Sequence, residues 1–576
     1  MLVSMRLNIS NVRGIKLFLI AFIASAAMLT VIQPPVGWSF LAWVCLVPFI
    51  LVCDSQIKSS ALFWTAYIIS FFYWLGNSYW IEPVTAAGWV ALCLYLALLW
   101  PLTTIALRWC MMKKVPLFLA TPLLIVGAER LQCIFWGGFF WRFLAHSQYA
   151  TIRLIQICDI FGAGGISFLI AMVNGLIADW IIAIINIRKG NHPINWGAKF
   201  MATALVVASI VGSLVYGNWR INQSDKFITE GPVIASVQSN VPQSVKESHA
   251  ATEQILDDLL KESSVAAKSD ALLIVWPETM VQAVLDERVL KILDSSHSYN
   301  IFDQQLRKQA KENKVYILAG ATGGVPEIKP DSIIELVKKY NSAFLYHPDG
   351  TKSDKQYNKI HLVPFGEVVP FKKSFPPLYR LLMKFTPYDY DYSLDYGSEY
   401  TVFYINDFHQ KPQQTYKFGV IICYEDSVPA IARRCVLDED GSKRIDWLIN
   451  ISNDGWFVRF SQGKVCPSTE LSQHTAVCVF RTVENRIAVL RSVNTGISCL
   501  IDSLGRVKNG FLAGNLPYKA MDREGIAGWF ADRVPIDKRI TFFSKYGQWL
   551  DFCCAIFFIS IIIILLSGRF LKKRSR

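Results

Sequence analysis

The stretch Lys417-Phe-Gly-Val-Ile-Ile-Cys-Tyr-Glu-Asp426 is informative about both fold and chemistry, because an apolar run stops abruptly at a cysteine and continues as a polar turn. Phe418–Ile422 is typical of a buried strand, and the polar turn is typical of a helix start. A cysteine that ends such a strand is often only a small buried hydrophobe. At a strand-to-helix elbow, however, a nearby helix N-terminus lowers the pKa of a thiol. Cys423 is therefore a candidate nucleophile, with a structural thiol as the alternative.

Other segments between residues 219 and 550 have the same strand character. They are Val233–Val237, Leu272–Trp276, Val315–Ala319, Trp447–Ile451 and Ala488–Val493. Helical patterns lie between some of them, at Thr252–Lys268, Phe302–Glu312 and Ser468–Arg486. Alternating strands and helices predict an α/β layered domain rather than an all-β sandwich.

Glu278 is a second polar residue at a strand end, in Leu272-Leu-Ile-Val-Trp-Pro-Glu278. Pro277 ends the hydrogen-bonded ladder because proline has no backbone N–H, so the carboxylate follows directly at the strand tip. Taken alone, this pattern is better explained by a glutamate in the first turn of a helix than by a catalytic carboxylate.

Lys359 lies in Tyr357-Asn-Lys-Ile-His-Leu-Val-Pro-Phe-Gly-Glu367, a segment of aromatic residues, proline and glycine. A loop of this composition often has one prescribed shape. A solvated surface lysine is the alternative. A further strand end, Asn450-Ile-Ser-Asn-Asp-Gly-Trp-Phe457, is expected to form a wall of the same site, or else a plain Asx turn.

Together these residue types suit acyl transfer. A cysteine nucleophile needs a base for its proton, and a carboxylate serves when burial raises its pKa. A lysine and the amides of the elbow can stabilise the oxyanion of a tetrahedral intermediate. The sequence has no C-x-x-C, no metal-ligand spacing of His and Cys, and no phosphate-binding glycine motif. We therefore expect neither a metal nor a cofactor.

The whole chain is too apolar for an ordinary soluble enzyme. Of its 576 residues 52% are hydrophobic and 18% are charged, against about 25% charged in soluble domains. Apolar runs near 20 residues predict about eight transmembrane helices, since such a helix spans about 30 Å of hydrocarbon. The runs are 17–33, 38–53, 60–79, 88–107, 115–129, 163–186, 200–217 and 551–568. The first run, with Ala24-Ser25-Ala26, is alternatively a signal peptide.

Lys and Arg in the short loops predict the orientation. With the N-terminus inside, fifteen fall in inner segments and only Arg130, Arg142 and Arg153 in short outer ones. The domains expected are a seven-span bundle over 1–218, an extracytoplasmic catalytic domain over 219–550, and a last span with a basic cytoplasmic tail over 551–576. Because the net charge of +13 arises almost wholly from the inner segments, nucleic acid is not an expected partner.

The ordered motifs resemble those of a known family. Trp276-Pro-Glu278, Tyr357-Asn-Lys359 with His361-Leu-Val-Pro-Phe-Gly-Glu367, and Cys423-Tyr-Glu-Asp426 follow the order of the Glu-Lys-Cys triad of the nitrilase superfamily. With seven preceding spans and one following, the chain resembles the membrane-bound bacterial apolipoprotein N-acyltransferases over essentially its whole length. Val237-Gln-Ser-Asn-Val-Pro-Gln243 and Ser452-Asn-Asp-Gly-Trp-Phe457 extend the match.

The resemblance implies an α-β-β-α nitrilase-like domain carried by a membrane bundle in the bacterial inner membrane, facing the periplasm. Such enzymes pass an acyl chain from a phospholipid, typically phosphatidylethanolamine, to the cysteine as a thioester. The acyl chain then passes to the α-amine of the N-terminal diacylglyceryl cysteine of an apolipoprotein. By motif match, Cys423 is the nucleophile, Glu278 the general base and Lys359 the oxyanion stabiliser. Glu367, Tyr424 and Glu425 match supporting residues, and a monomer suffices.

Two departures from the family concern substrate recognition. After Pro242-Gln243 the family typically has a Lys-Trp pair, whereas this chain has Lys246-Glu247. The run Val458–Thr469, which contains Gly463 and Cys466, is longer than the usual loop. Whether Cys435, Cys466, Cys478 and Cys499 form disulfides is open from the sequence.

Phe371–Phe385 mixes basic residues with aromatic and aliphatic ones, as at a membrane interface. We expect a mobile arm over the lipid entrance, with a surface helix that covers the domain's own core as the alternative.

Two other functions compete with the acyltransferase. In a membrane-anchored nitrilase-like amidase or hydrolase, water resolves the thioester, but a small polar amide needs no lipid access. A transporter or lipid-binding receptor carries paired charges inside its spans, which these runs largely lack. Asp179 in the sixth run is an exception without an evident partner.

Overall fold

The chain divides into two units in this computed structural model. The described residues are 12–55, 57–134, 137–189, 195–246, 251–329, 334–384, 386, 391–408, 410, 412–461 and 464–574. The first unit comprises Met1–Glu82, Ala86–Ile221 and Gln548–Arg576. The second unit comprises Pro83–Thr85 and Asn222–Gly547.

The first unit is helical, as its long apolar runs require. Its helices are α1 (Val12–Val31), α2 (Val47–Cys53), α3 (Ser59–Asn77), α4 (Ala86–Ala97), α5 (Leu99–Met112), α6 (Leu117–Gln132), α7 (Ile152–Ile155), α8 (Cys158–Phe161), α9 (Ala163–Arg188), α10 (Trp196–Asn222) and α20 (Trp549–Arg574).

Four helical stretches among the described residues are long and apolar enough to cross a membrane. They are Ala86–Met112, Ala163–Arg188, Trp196–Asn222 and Trp549–Ser567. Phe18–Val31 and Ser39–Cys53 are shorter apolar helical stretches. The protein thus has four candidate spans, and the expected total of about eight stays a prediction.

Asp179 on α9 has a partner that the sequence did not reveal. Its Oδ1 lies 3.3 Å from the Nζ of Lys199 on α10, and its Oδ2 accepts a 3.3 Å hydrogen bond from the Leu117 backbone N–H. The carboxylate therefore joins two candidate spans and the start of α6. Lys199 lies in the first turn of α10, so the pair is at a helix end rather than near the midpoints of both spans, and it gives the transporter alternative no support.

The second unit contains two sheets and a hairpin. The first sheet has β1 (Ile228–Gln238), β2 (Leu273–Val275), β3 (Val281–Val284), β4 (Tyr316–Ile328), β5 (Ile334–Tyr346), β6 (Lys352–Asn358) and β15 (Gly528–Asp537). The second has β7 (Val402–Asp407), β8 (Gln414–Ile422), β9 (Trp447–Asn453), β12 (Ala488–Asn494), β13 (Cys499–Ile501) and β14 (Val507–Lys508). The hairpin is β10 (Arg459–Ser461) with β11 (Lys464–Cys466).

The strand orders place β2, β8 and β9 inside their sheets and β6 at an edge. The first sheet runs β15-β1-β2-β4-β5-β6, with β3 also paired to β4. The second runs β14-β13-β12-β9-β8-β7, and β8, β9 and β12 are parallel. The helices of this unit are α11 (Ser224–Phe227), α12 (Gln243–Lys246), α13 (Thr252–Ala266), α14 (Glu287–Leu290), α15 (Ser298–Asn313), α16 (Pro376–Met383), α17 (Pro429–Val436), α18 (Thr469–Asn485) and α19 (Phe542–Tyr546).

Four layers result from the way the apolar faces are buried. One core lies between the two sheets and joins Leu273 and Leu318 to Phe418 and Trp447. A second core lies between the first sheet and the apolar faces of α13 and α15. On the other side α17 packs on β8, and α18 packs on α17. This α-β-β-α order confirms the predicted α/β layered class, and every strand and helix predicted in this unit is present.

The structure describes the cysteines and most of the long run after Phe457. All 13 cysteines have free thiols, so Cys435, Cys466, Cys478 and Cys499 are not paired. The long run after Phe457 contains the β10–β11 hairpin, on which Cys466 is exposed. Glu247, Gly463, Phe385 and the last residues of the basic tail lie outside the described residues.

Candidate active site

Glu278, Lys359 and Cys423 each follow the end of a strand and are brought together. Glu278 lies three residues beyond β2, Lys359 directly follows β6, and Cys423 directly follows β8. The first two strands belong to one sheet and the third to the other, so the site forms where the sheets face each other. The exposed fractions are 4% for Glu278, 1% for Lys359 and 5% for Cys423. The solvated-lysine alternative is therefore wrong.

The backbone at Cys423 is strained. Its φ of +53° is in the left-handed region, which a non-glycine residue occupies only when its surroundings impose it. Cys423 opens a 3₁₀ turn that extends to Ser427, and its carbonyl accepts a 3.0 Å hydrogen bond from Asn450 Nδ2. This sharp elbow presents the thiol at the strand end, as in other nucleophile elbows.

One ammonium and one amide hold two carboxylates together. Lys359 Nζ lies 3.3 Å from Glu278 Oε1 and 2.9 Å from Glu367 Oε1. Asn341 Nδ2 donates to the same two oxygens, at 2.6 and 3.0 Å. The second oxygen of Glu278 accepts a 2.8 Å hydrogen bond from the Asn453 backbone N–H. The position of the Glu278 carboxylate is thus fixed from both sides.

The site keeps its cysteine protonated and its lysine charged. Burial raises the pKa of Cys423, and the charge of Glu278 raises it further, while Lys359 and His474 oppose the rise. Burial alone would lower the pKa of Lys359, but the charges of Glu278 and Glu367 hold it well above the usual value. The expectation that the elbow lowers the thiol pKa is therefore wrong, because desolvation outweighs it. A thiol in this state needs a base at the moment of attack.

Glu425 joins the cysteine elbow to the lysine loop. Its Oε2 accepts from the Ile422 N–H at 2.7 Å and from the Tyr357 hydroxyl at 2.8 Å. Its Oε1 accepts from the backbone N–H groups of Ile360 and His361, at 2.7 and 2.9 Å. Burial raises the pKa of Glu425 to about 7, and these donors act in the opposite direction. Removing the carboxylate would leave buried donors on both segments unpaired.

Tyr424 is partly buried, and its ring stacks on that of His361 at 6.0 Å between centroids. Tyr424 directly follows Cys423, and His361 lies on the loop that carries Lys359, so this ring contact joins the cysteine elbow to the lysine loop.

Sequence reasoning missed Asn341 and Lys246. Asn341 is a polar residue at the start of the buried half of β5, and that position was its only signal. Lys246 is buried at the end of α12, where Nζ donates to Thr279 Oγ1 at 2.5 Å and to the Glu278 carbonyl at 3.4 Å. Lys246 therefore places a cation against the backbone of Glu278.

Among the described residues, Asp454, Glu470 and His474 are a group with metal-ligand spacing, their ligand atoms lying within 4.8 Å of one another. The guanidinium of Arg491 contacts Asp426 and lies 3.6 Å from Asp454 Oδ2. His474 Nε2 lies 2.8 Å from Asp426 Oδ1. Cationic side chains already face these carboxylates, and this donor set fits a salt-bridge network better than a divalent cation.

Comparison with known proteins places the chain in a family. Residues 25–176 match the model of the apolipoprotein N-acyltransferase N-terminal domain, and residues 233–529 match the carbon-nitrogen hydrolase model. The apolipoprotein N-acyltransferase of Geobacter metallireducens is 29% identical over 92% of each chain. Apolipoprotein N-acyltransferase 1 of Treponema denticola is 24% identical over 93% of each chain.

Solved structures that match the chain include an amidase from Nesterenkonia sp., with a TM-score of 0.33 and 14% identity over 54% of this chain and 92% of the amidase. A nitrilase-superfamily member from Saccharomyces cerevisiae matches with a TM-score of 0.32 and 18% identity, over 53% of this chain and 91% of that one. The family models carry the assignment: with an N-terminal domain and a carbon-nitrogen hydrolase domain in sequence, the chain belongs to the apolipoprotein N-acyltransferase family.

Proposed function

We propose that this protein transfers an acyl chain from a phospholipid, through a thioester on Cys423, to the α-amine of the N-terminal diacylglyceryl cysteine of an apolipoprotein. The observation that carries the proposal is the buried group of Glu278, Lys359 and Cys423, which joins a strained nucleophile, a carboxylate and a fixed cation. Family membership supplies the substrate class.

In the first half-reaction, Glu278 takes the proton of the Cys423 thiol as sulfur attacks the carbonyl carbon of the donor ester. The ammonium of Lys359 stabilises the oxyanion of the tetrahedral intermediate, and its charge is maintained by Glu278 and Glu367. The carbon–oxygen ester bond then breaks, and the lysophospholipid alkoxide leaves with the proton from Glu278. The acyl chain remains on sulfur as a thioester.

In the second half-reaction, the α-amine of the acceptor attacks the thioester carbonyl and gives its proton to Glu278. The intermediate collapses to an amide, and the thiolate of Cys423 regains the proton. The same base and the same oxyanion donor serve both steps, as a ping-pong scheme requires. In this scheme Glu367 orients Lys359, Glu425 fixes the elbow and Tyr424 shapes its surroundings.

We further propose phosphatidylethanolamine as the donor and a monomer as the working form. The excess of Lys and Arg in the predicted inner segments supports both termini in the cytoplasm, and the catalytic domain on the periplasmic side of the inner membrane. The proposed domains remain 1–218, 219–550 and 551–576, with eight spans in all.

The function is tested with the full-length protein in lipid vesicles, given phospholipid with a labelled acyl chain and a synthetic diacylglyceryl-cysteine peptide. We expect one labelled chain on the peptide amine, with release of one lysophospholipid. Labelled free fatty acid without acylated peptide would indicate the hydrolase alternative.

In cells, mass spectrometry of a lipoprotein after depletion of this protein is expected to show loss of the N-linked acyl chain, and an unchanged N-terminus would refute the assignment.

The proposed arm around α16 gives a separate prediction. None of the eight residues of α16 is buried, which does not fit a helix that covers the domain's own core. Phe375 and Leu381 are 55% and 51% exposed. Replacing both with serine is expected to lower the rate of acylation from phospholipid vesicles about 10-fold, since apolar contact with lipid is lost. The thermal unfolding midpoint should not move.

A matched control replaces two exposed apolar residues of the same unit, Ile328 and Val337, with serine. That pair is expected to leave the acylation rate unchanged. Equal rates for the arm variant and the wild-type protein would remove the arm from the mechanism.

A further inference from the structure

A buried cluster of charged residues lies against the cysteine elbow, and the proposed chemistry does not use it. This elbow cluster consists of Asp426, Asp454, Glu470, His474 and Arg491, each at most 1% exposed. His474 Nε2 lies 2.8 Å from Asp426 Oδ1, and Nδ1 lies 3.2 Å from Asp454 Oδ1 and 3.0 Å from Glu470 Oε1. One imidazole therefore faces three carboxylates.

The carboxylates of the elbow cluster belong to the segments that carry the active site. Asp426 lies in the 3₁₀ turn that starts at Cys423. Asp454 directly follows Asn453, whose backbone N–H holds Glu278 at 2.8 Å. By contacting both aspartates, His474 connects the turn of the nucleophile to the turn that fixes the base.

The charges of the elbow cluster balance when His474 is an imidazolium. Burial alone would lower the pKa of His474, but Asp426, Asp454 and Glu470 outweigh both burial and the opposing charge of Arg491, so the pKa lies well above its usual value. Burial, followed by the charge of Asp454, raises the pKa of Glu470 to about 7. With Glu470 protonated, two aspartates face two cations. The positive charge of His474 lowers the pKa of Cys423, and the negative charge of Asp454 acts in the opposite direction.

We propose that His474 is a positioning residue whose imidazolium clamps the turns of Cys423 and Asn453 together and adds a second positive charge, besides Lys359, that favours the thiolate of Cys423. The inference rests on the proposed function for the role of that thiolate, but its geometric basis is independent of any substrate. A merely structural histidine would hold the turns without changing the ionisation of the thiol.

The test measures the pH dependence of Cys423 alkylation by iodoacetamide in the full-length protein, followed by peptide mass spectrometry. His474→Gln removes a positive charge and is expected to raise the apparent pKa of the thiol by about 1 unit. Asp426→Asn removes a negative charge and is expected to lower it. The double variant D426N/H474Q restores the balance and is expected to return close to the wild-type value.

The test stays decisive if H474Q alone does not fold. The thiol pKa of the double variant must then be higher than that of D426N, just as H474Q is expected to raise it above the wild-type value. His347→Gln, a half-buried histidine outside the elbow cluster, is the control and should leave the profile unchanged. Identical profiles for all variants would overturn the proposal and leave His474 a structural role. A profile that shifts when the wild-type protein is treated with a chelator would also overturn it, in favour of a metal.

The same variants are then assayed for acyl transfer from labelled phospholipid. H474Q is expected to form the acyl adduct at least 10-fold more slowly at neutral pH and to recover partly at higher pH. A uniform loss at every pH would contradict the electrostatic role. Absence of any adduct on the wild-type protein would refute the proposed function instead, while the alkylation profiles would still decide the role of His474.

Discussion

Replacing Cys423 with alanine is expected to abolish the labelled acyl adduct and to reduce transfer to the lipoprotein peptide on the order of 10⁶-fold, as for other nucleophile deletions. In the proposed mechanism sulfur is the atom on which the thioester forms, and no neighbouring group in the described site replaces it. The adduct is measured by mass spectrometry of the full-length protein after incubation with phospholipid that carries a labelled chain. Because the thiol is small and alanine keeps its Cβ, the thermal midpoint is expected to change little.

Cys466→Ser is the matched control, since that thiol is exposed on the β10–β11 hairpin. It is expected to retain the adduct and full activity. A labelled adduct that persists in Cys423→Ala, or disappears in Cys466→Ser, would show that the nucleophile is another residue.

Lys359→Met is expected to give the second largest effect. Losing the oxyanion donor should lower the rate of adduct formation by about 10²- to 10³-fold. It also leaves Glu278 and Glu367, which share the ammonium at 3.3 and 2.9 Å, without their cation in a buried site. Breaking such a pair typically costs about 3–5 kcal/mol of unfolding free energy. Denaturant unfolding and single-turnover acylation measure the two effects separately.

Lys355→Met, on the exposed part of β6, is the control and should match the wild-type protein in rate and stability. A Lys359→Met protein that acylates at the wild-type rate would remove this residue from the oxyanion site, whatever its stability.

The fold of the catalytic unit could be predicted because its strands are apolar and end at clear breaks. Pro277 after β2 and the polar turn after β8 mark such ends, and the amphipathic faces of α13 and α15 mark the outer layer. Strand β5 was missed because its first half is largely exposed and charged, so it lacks a strand pattern. Only pairing with β4, set by the tertiary structure, makes it a strand.

The site was predictable as far as each polar residue ends a strand. Glu278 and Cys423 were found for that reason and Lys359 from the composition of its loop, together with the resemblance in motif order. Partners that arrive from distant segments carry no local signal. Asn341 and His474 are polar residues inside a strand and a helix, and only the packing of the two sheets and α18 shows what they contact.

The origin of the three site residues in two different sheets has a consequence for the biogenesis of the protein. Until the sheets dock, Cys423 has neither Glu278 nor Lys359 beside it, and Glu425 cannot connect segments that lie 65 residues apart in sequence. A nascent chain in the membrane therefore carries an unactivated thiol among abundant lipid esters. In the proposed mechanism, reactivity is therefore acquired only with the completed sandwich, and no acyl-enzyme forms on a partly folded chain.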